Sequence, residues 1–264
     1  MLVYYSMKID SVNNTAFRSC YRSYKPKKHN DIFVKTNVMT TTNLFRADVD
    51  WIRLVKYAYA HFGSKKNIGV YSLAASDGSE AYTYLISVME KIPKKLYEKF
   101  GHVNASDFDK EVINGYKSGR VNVYAREFWQ AENKYKVDLT KYLKNRSLSV
   151  VIKGDDVSGT DVISSYEPIP ELRDSINYKQ SDILSELKNI DDNGNSIVLC
   201  RNVFPYLNDD YIDEIIETAK EKLKPKSLFV TGNYDQMINI RDKLLKSGFY
   251  QPIKKEPNIF ERKA

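Results

Sequence analysis

The residues of this chain whose types and spacing could do chemistry stand where apolar runs end. Ile68-Gly69-Val70-Tyr71-Ser72-Leu73 is β-branched and apolar, and it gives way to the small residues Ala74-Ala75-Ser76-Asp77-Gly78. A segment with apolar residues at Leu85, Ile86, Val88 and Met89 follows. The pattern reads as strand, tight loop and helix. A backbone without bulky side chains, aimed at a helix N-terminus, lets a ligand lie directly against the main chain, as in a nucleotide pocket. The loop has one Gly where a dinucleotide fingerprint has three, and Glu80 in the first helical turn repels phosphate. A ligand with a cationic end and no phosphate fits better; S-adenosylmethionine, with its adenosine, sulfonium and ammonium, is one. A strand-loop-helix crossover with no ligand fits the same residues. Asp107 closes a second short strand, His102 to Asp107. A carboxylate there can accept hydrogen bonds from both hydroxyls of a ribose, or it can cap the helix expected over Lys110 to Lys117 and ended by Ser118-Gly119.

The elements that must position these groups follow from composition and period. A chain of 264 residues, 42% hydrophobic and 28% charged, can bury one sizeable core. Its formal charge of +7 is spread over many short lysine clusters, which fits an acidic protein partner and also weak RNA binding. Cys20 and Cys200 are too few for a disulfide framework or a metal cage, so no metal is expected. Cys200, inside an apolar run, reads as a buried inert thiol. No run of about 18 apolar residues occurs, and Met1 to Tyr5 lacks the features of a secretory signal, so a cytoplasmic protein without membrane insertion is expected.

Residues 1–40 have no sustained period, and Tyr24 to Asn30 breaks any helix. Over Ala47 to Phe62, apolar residues recur at helical spacing, with Asp48 and Asp50 expected in the N-terminal turn. From Val121 to Asp174 the pattern is irregular. It holds a helical segment over Ala125 to Tyr135, then Leu148 to Ile152 and Asp161 to Ile163 as strands of a small antiparallel insertion at about 145–170, joined through Gly154 to Gly159. Alternation then resumes. Ile176 to Gln180 is a strand, Ile197 to Cys200 precedes a helix over Asp209 to Leu223, and Ser227 to Thr231 precedes one over Gln236 to Lys246. Phe249 to Ile253 and Asn258 to Glu261 close the chain as a hairpin around Glu256-Pro257. Parallel-type strands ending in a hairpin predict an α/β class I methyltransferase (Rossmann-like) sheet over residues 41–264, whereas a plain doubly wound fold ends on a helix.

Four segments, in order, resemble the chemotaxis-receptor methyltransferase family, known as CheR, which esterifies glutamate side chains with S-adenosylmethionine. Thr42-Asn43-Leu44-Phe45-Arg46 resembles that family's Thr-x-Phe-Phe-Arg motif. Ala75-Ser76-Asp77-Gly78-Ser79-Glu80-Ala81-Tyr82-Thr83 is similar to its Ala-Ser-x-Gly-Glu-Glu-Pro-Tyr-Ser loop, with Ser79 and Ala81 in place of a Glu and the Pro. Ser106-Asp107-Phe108-Asp109 resembles its Thr-Asp-Ile-Asp strand end. Cys200-Arg201-Asn202-Val203-Phe204-Pro205-Tyr206-Leu207, similar to Cys-Arg-Asn-Val-x-x-Tyr-Phe, is the strongest of the four. Lys226-Ser227 stands where the family has Gly-Gly. Residues 1–40 are expected to be a reduced arm in place of the family's helical recognition domain.

The resemblance implies cofactor contacts from Thr42, from Ala75 and Glu80 at the amino-acid end, from Asp107 at the ribose, and from Asp182 and Ile183 beside the adenine. It further implies Arg201 and Asn202 along the cofactor floor and carboxylate side, and Arg46 and Tyr206 facing the methyl group. Each has an alternative: Arg201 could pair with a structural carboxylate, and Tyr206 could be core. The implied reaction is O-methylation of a carboxylate on an acidic protein or a small acid. Transfer to RNA or to another small molecule, and a non-catalytic cofactor-binding sensor or scaffold, are the competing readings.

Overall fold

The computed structural model describes residues 22–23, 37–38, 42–65, 68–145, 150–153, 160–191 and 194–264. The first described elements are β1 (Arg22–Ser23) and β2 (Asn37–Val38), paired antiparallel. The rest of the expected arm, Cys20 and the 154–159 connection lie outside the described residues. Helix α1 (Trp51–Phe62) leads to β3 (Ile68–Leu73), α2 (Ser79–Lys91), a short α3 (Tyr97–Phe100) and β4 (Val103–Asp107). Then come α4 (Lys110–Lys117), β5 (Val121–Tyr124), α5 (Ala125–Tyr135), β6 (Leu143–Asn145), β7 (Val150–Lys153) and β8 (Thr160–Pro168). The final part is α6 (Pro170–Arg173), β9 (Ile176–Gln180), α7 (Ile183–Lys188), β10 (Asn195–Cys200), α8 (Asp209–Lys222), β11 (Leu228–Val230), α9 (Ile240–Lys246), β12 (Phe249–Tyr250) and β13 (Ile259–Arg262).

The central sheet runs β12-β13-β11-β10-β3-β4-β9. The five strands from β11 to β9 are mutually parallel, and β13 is antiparallel to both β11 and β12. This is the mostly parallel α/β sheet with a closing antiparallel hairpin that the sequence predicts. From β3 the chain first works outward to β4 and β9, then returns across to β10. The carboxyl ends of β3 and β10 therefore flank the topological switch point, where a ligand can enter between diverging loops.

All six β10 residues are buried, as a strand covered on both faces requires. Its side chains alternate. Ile197 and Leu199 join the core shared with α1 and α2, while Val198 and Cys200 join the core shared with α7, α8 and α9. Burial pushes the Cys200 thiol well above its ordinary range, as an inert interior sulfur requires.

Three sequence expectations need correction. Helix α1 starts at Trp51, four residues later than Ala47, because the Asp50 carboxylate caps the Arg53 N–H at 3.0 Å. Asp48 is therefore not in its first turn. The helix expected over Gln236 to Lys246 is two pieces, a 3-10 turn over Tyr234–Ile238 and α9, parted by Asn239 at φ 56°. The insertion is a four-stranded antiparallel sheet in which β8 pairs with β5, β6 and β7, so Val121–Tyr124 and Leu143–Asn145 are also strands. In β5 only alternate residues are buried, a pattern too short to signal a strand by itself.

Candidate cofactor and acceptor site

The loop after β3 departs most from ordinary backbone. Ala74, Ser76 and Gly78 all take left-handed conformations, at φ 55°, 52° and 86°. A non-Gly residue there costs roughly 1–2 kcal/mol and persists where surroundings over-determine it. Here the Ala75 N–H donates to the Ser106 carbonyl at 2.8 Å, and the Ser76 N–H donates to Asp107 Oδ2 at 2.9 Å. The Tyr178 hydroxyl donates to the Ser76 carbonyl. Gly78 has no room for a side chain, since a Cβ would meet the Tyr116 ring at 2.9 Å. The capping alternative for Asp107 falls to Asp109, whose carboxylate accepts the Glu111 N–H at 2.8 Å. Asp107 instead accepts the Ser76 and Asp109 N–H groups, the latter at 2.9 Å. Burial raises its carboxyl above the ordinary range, against the pull of those N–H groups.

Beside the loop lies a buried knot of charge. Glu80 accepts the Ser72 hydroxyl at 3.0 Å and an Arg201 Nη1 hydrogen bond at 2.7 Å, while Arg201 Nη2 pairs with Asp48. The Arg201 side chain is 3% exposed and its guanidinium lies over the Trp51 ring, 4.5 Å from the centroid. Asp48 also accepts from Asn202 Nδ2 at 3.0 Å and from the Asn233 N–H at 3.3 Å. Burial raises the Glu80 carboxyl, with Arg201 opposing. Burial alone would lower Arg201, but Asp48 and Glu80 hold its charge and raise it. Among the described residues, the buried Nε of Arg201 has no partner.

Above the knot, the Arg46 guanidinium sits over the Tyr234 ring, 4.9 Å from the centroid, and its Nε lies 3.8 Å from Asp48. Burial raises the Tyr206 hydroxyl; Tyr234 adds to that and the Arg46 charge lowers it, so the three side chains share one neighbourhood. The lead-in segment that carries Arg46 is pinned from two sides. The Phe45 N–H donates to Thr83 Oγ1 at 2.9 Å, the Leu44 N–H donates to the buried Glu127 carboxylate, and Gln130 donates to the Phe45 carbonyl.

The sequence-predicted residues thus fall into three groups. Glu80, Arg201, Asn202, Arg46 and Tyr206 meet at the ends of β3 and β10. Ala75 and Asp107 join them through the strained loop. Asp182 and Ile183 lie across Asp107, whose carbonyl accepts the Ser181 N–H at 3.0 Å. The Asp182 carboxylate caps α7 and accepts from the Ser185 and Tyr211 hydroxyls; these bonds outweigh burial and hold it below the ordinary range. Ile183 packs in the core. Thr42 is half-buried at the start of the lead-in segment. Sequence reasoning missed Asp48, placed in a helix, and Tyr234 and Asp235, in a loop without a recognisable pattern; the only signal was Gly232 directly after a strand.

Residues 158–250 match the family model of the CheR methyltransferase SAM-binding domain. This stretch, about a third of the chain, is similar to that domain. The matched stretch contains Asp182, Ile183, Arg201, Asn202 and Tyr206. A chemotaxis protein methyltransferase of Listeria monocytogenes is 21% identical over 219 residues, covering 80% of this chain and 71% of that protein. Chemotaxis protein methyltransferase 2 of Vibrio cholerae is 24% identical over 193 residues, covering 71% of this chain but only 60% of the relative's length. Among solved structures, a glycopeptide N-methyltransferase superposes with a TM-score of 0.41 at 10% identity, covering 81% of this chain and 97% of that one. The family match and the CheR relatives support a methyltransferase with S-adenosylmethionine as cofactor. No helix among the described residues is long and apolar enough to cross a membrane.

Proposed function

We propose that this CheR-like chain methylates a carboxylate, on an acidic protein or a small acid, with S-adenosylmethionine as donor. The observation that carries the reading is the Arg201 knot. The Arg201 guanidinium holds Glu80 beside the strained loop, where Glu80 offers a carboxylate to an ammonium, and Asp107 across the loop offers one to vicinal hydroxyls. These acceptors suit the ammonium and the ribose of S-adenosylmethionine, with Ala75 contributing backbone along its length. When bound, the cofactor supplies a methyl group on a sulfonium.

The rest falls to positioning. A carboxylate acceptor is already ionised at neutral pH, so no general base is required, only in-line placement within ~3 Å of the methyl carbon. Arg46, braced over Tyr234, can hold one acceptor oxygen and leave the other free to attack. Tyr206, its hydroxyl kept protonated by burial, can donate a hydrogen bond that sets the approach angle. The buried Arg201 and Glu80 mark a water-poor floor, where dispersing an acceptor anion and a sulfonium cation into a less polar transition state is favoured.

Methyl-labelled S-adenosylmethionine incubated with the purified protein and a cell lysate tests this. Label transferred to protein or a small acid and released as methanol by mild base supports it. Base-stable label, on RNA or an amine, overturns the carboxylate assignment.

A further inference from the structure

We propose that Asp235 is a positioning residue that joins the cofactor floor to the acceptor mouth as one rigid unit; this rests on the function proposed above. Its side chain is fully buried and gathers backbone N–H groups from two loops. Oδ2 accepts from Gly232 and from Asn202, both at 2.7 Å, and Oδ1 accepts from Phe204 at 3.2 Å. Three backbone donors converging on one carboxylate fix its loops more tightly than a short 3-10 turn, with its poorer hydrogen-bond geometry, does alone.

The consequences reach both halves of the site. Asn202 is held at φ 57°, a left-handed backbone that costs energy unless imposed. So held, its Oδ1 accepts the Tyr234 N–H at 3.1 Å and its Nδ2 reaches Asp48. Tyr234 in turn carries the Arg46 guanidinium. The approach of the two loops is so close that a Cβ on Gly232 would come within 2.2 Å of Asn202 Oδ1, a distance this structure could not accommodate. Among the described residues, the hydrogen bond that links Asp235 to a group assigned to cofactor or acceptor contact is the one from the Asn202 main chain. Asp235 therefore acts through Asn202 and Tyr234. Asparagine in its place keeps one acceptor oxygen but turns an N–H₂ toward N–H groups that need an acceptor.

The ionisable groups facing Asp235 are Arg201, Cys200 and Tyr206, which keep their protons through neutral pH. Burial pushes the Asp235 carboxyl up to about 7, against its three N–H donors. In ligand-free protein, the amide resonances of Gly232, Asn202 and Phe204 should then shift with one common midpoint near 7. Three unrelated midpoints, or wild-type shifts of the three amides retained in Asp235→Asn, would overturn the shared carboxylate.

The second arm is calorimetric titration with S-adenosylhomocysteine on the full chain. Asp235→Asn should bind at least tenfold more weakly, and Asp235→Glu should recover much of the loss. Ile216→Ala, which empties a buried site on α8, should lower the melting temperature with affinity unchanged. Wild-type affinity in Asp235→Asn, or an equal loss in Ile216→Ala, overturns the positioning role. Failure of the wild-type protein to bind S-adenosylhomocysteine overturns the function proposed above, and the amide titration still decides the role of Asp235.

Discussion

The proposed cofactor floor and the proposed acceptor mouth are built from the same residue types to opposite ends. On the floor, Arg201 is 3% exposed, stacked on Trp51 and gripped by two carboxylates. At the mouth, Arg46 is 21% exposed, and its cation rests on the half-exposed Tyr234 ring with Asp48 at a long 3.8 Å. The first guanidinium is enclosed among buried charges, whereas the second borders solvent. An enclosed setting suits a cofactor that is the same in every turnover. An open one suits an acceptor that must enter and leave.

The largest expected effect would break this comparison on the floor side. Arg201→Ala leaves Glu80 and Asp48 buried without their cation, and losing one partner of a buried pair costs about 3–5 kcal/mol. Binding of S-adenosylhomocysteine should fall below detection and the melting temperature should drop sharply. Near-normal calorimetric affinity in this variant would mean that Arg201 holds the fold and not the ligand. Arg46→Ala is the counterpart. Affinity for S-adenosylhomocysteine should stay within a few-fold, while transfer of labelled methyl falls by about 10² through lost orientation. Lysine should rescue only in part, since an ammonium attracts a carboxylate without fixing its angle. Should Arg46→Ala lose cofactor affinity instead, the division between floor and mouth disappears.

Asp107 sharpens the comparison, because its carboxylate already serves two N–H groups of the chain and would serve the ribose as well. Asp107→Ala should weaken S-adenosylhomocysteine binding by roughly 1–3 kcal/mol, read by calorimetry. NAD should not raise the melting temperature of the wild-type protein, whereas S-adenosylmethionine should, by mass action on the folded state. Stabilisation by NAD alone in a thermal-shift titration would refute the cofactor assignment.

The floor was far more legible in the sequence than the mouth, for a physical reason. The loop after β3 is local: small residues after a β-branched run, with Glu80 in the helical turn that follows, fix both its backbone and the chemistry it offers. Arg201, Asn202, Arg46 and Tyr206 came from the resemblance alone. What binds them together is long-range: Asp48 reaches Arg201, 153 positions away, and Asn233, 185 away, and no period in the chain encodes such pairings. Asp48 was read as a helix-start residue because an acid before an apolar helix usually is one. Asp50 already had that role.

The smallest expected effect concerns what steadies the mouth. The Glu127 carboxylate accepts the Leu44 N–H from the Arg46 segment and the Tyr124 N–H at the start of α5, and it is 2% exposed. Burial pushes it up to about 8, with those two N–H groups opposing. A carboxyl raised on folding keeps its proton in the native state after the unfolded chain has lost it. Its contribution to stability is therefore full below the ordinary carboxylate range, near 4.5, and is lost as pH rises toward 8. Over that window it subtracts up to about 1.4 kcal/mol of unfolding free energy per pH unit. Glu127→Gln cannot titrate, so urea unfolding between pH 5 and about 8 should show a shallower pH slope than wild type, alongside a constant loss of roughly 1 kcal/mol from the one N–H that its amide nitrogen cannot accept. Asp235 titrates within the same window, so the difference between the two proteins, not either slope alone, isolates Glu127. Affinity for S-adenosylhomocysteine should not follow, because Glu127 holds the segment behind Arg46 and touches nothing on the floor. Parallel slopes in the two proteins would show that Glu127 is ionised throughout and grips Leu44 as a charge, making the mouth as rigid as the floor beneath it.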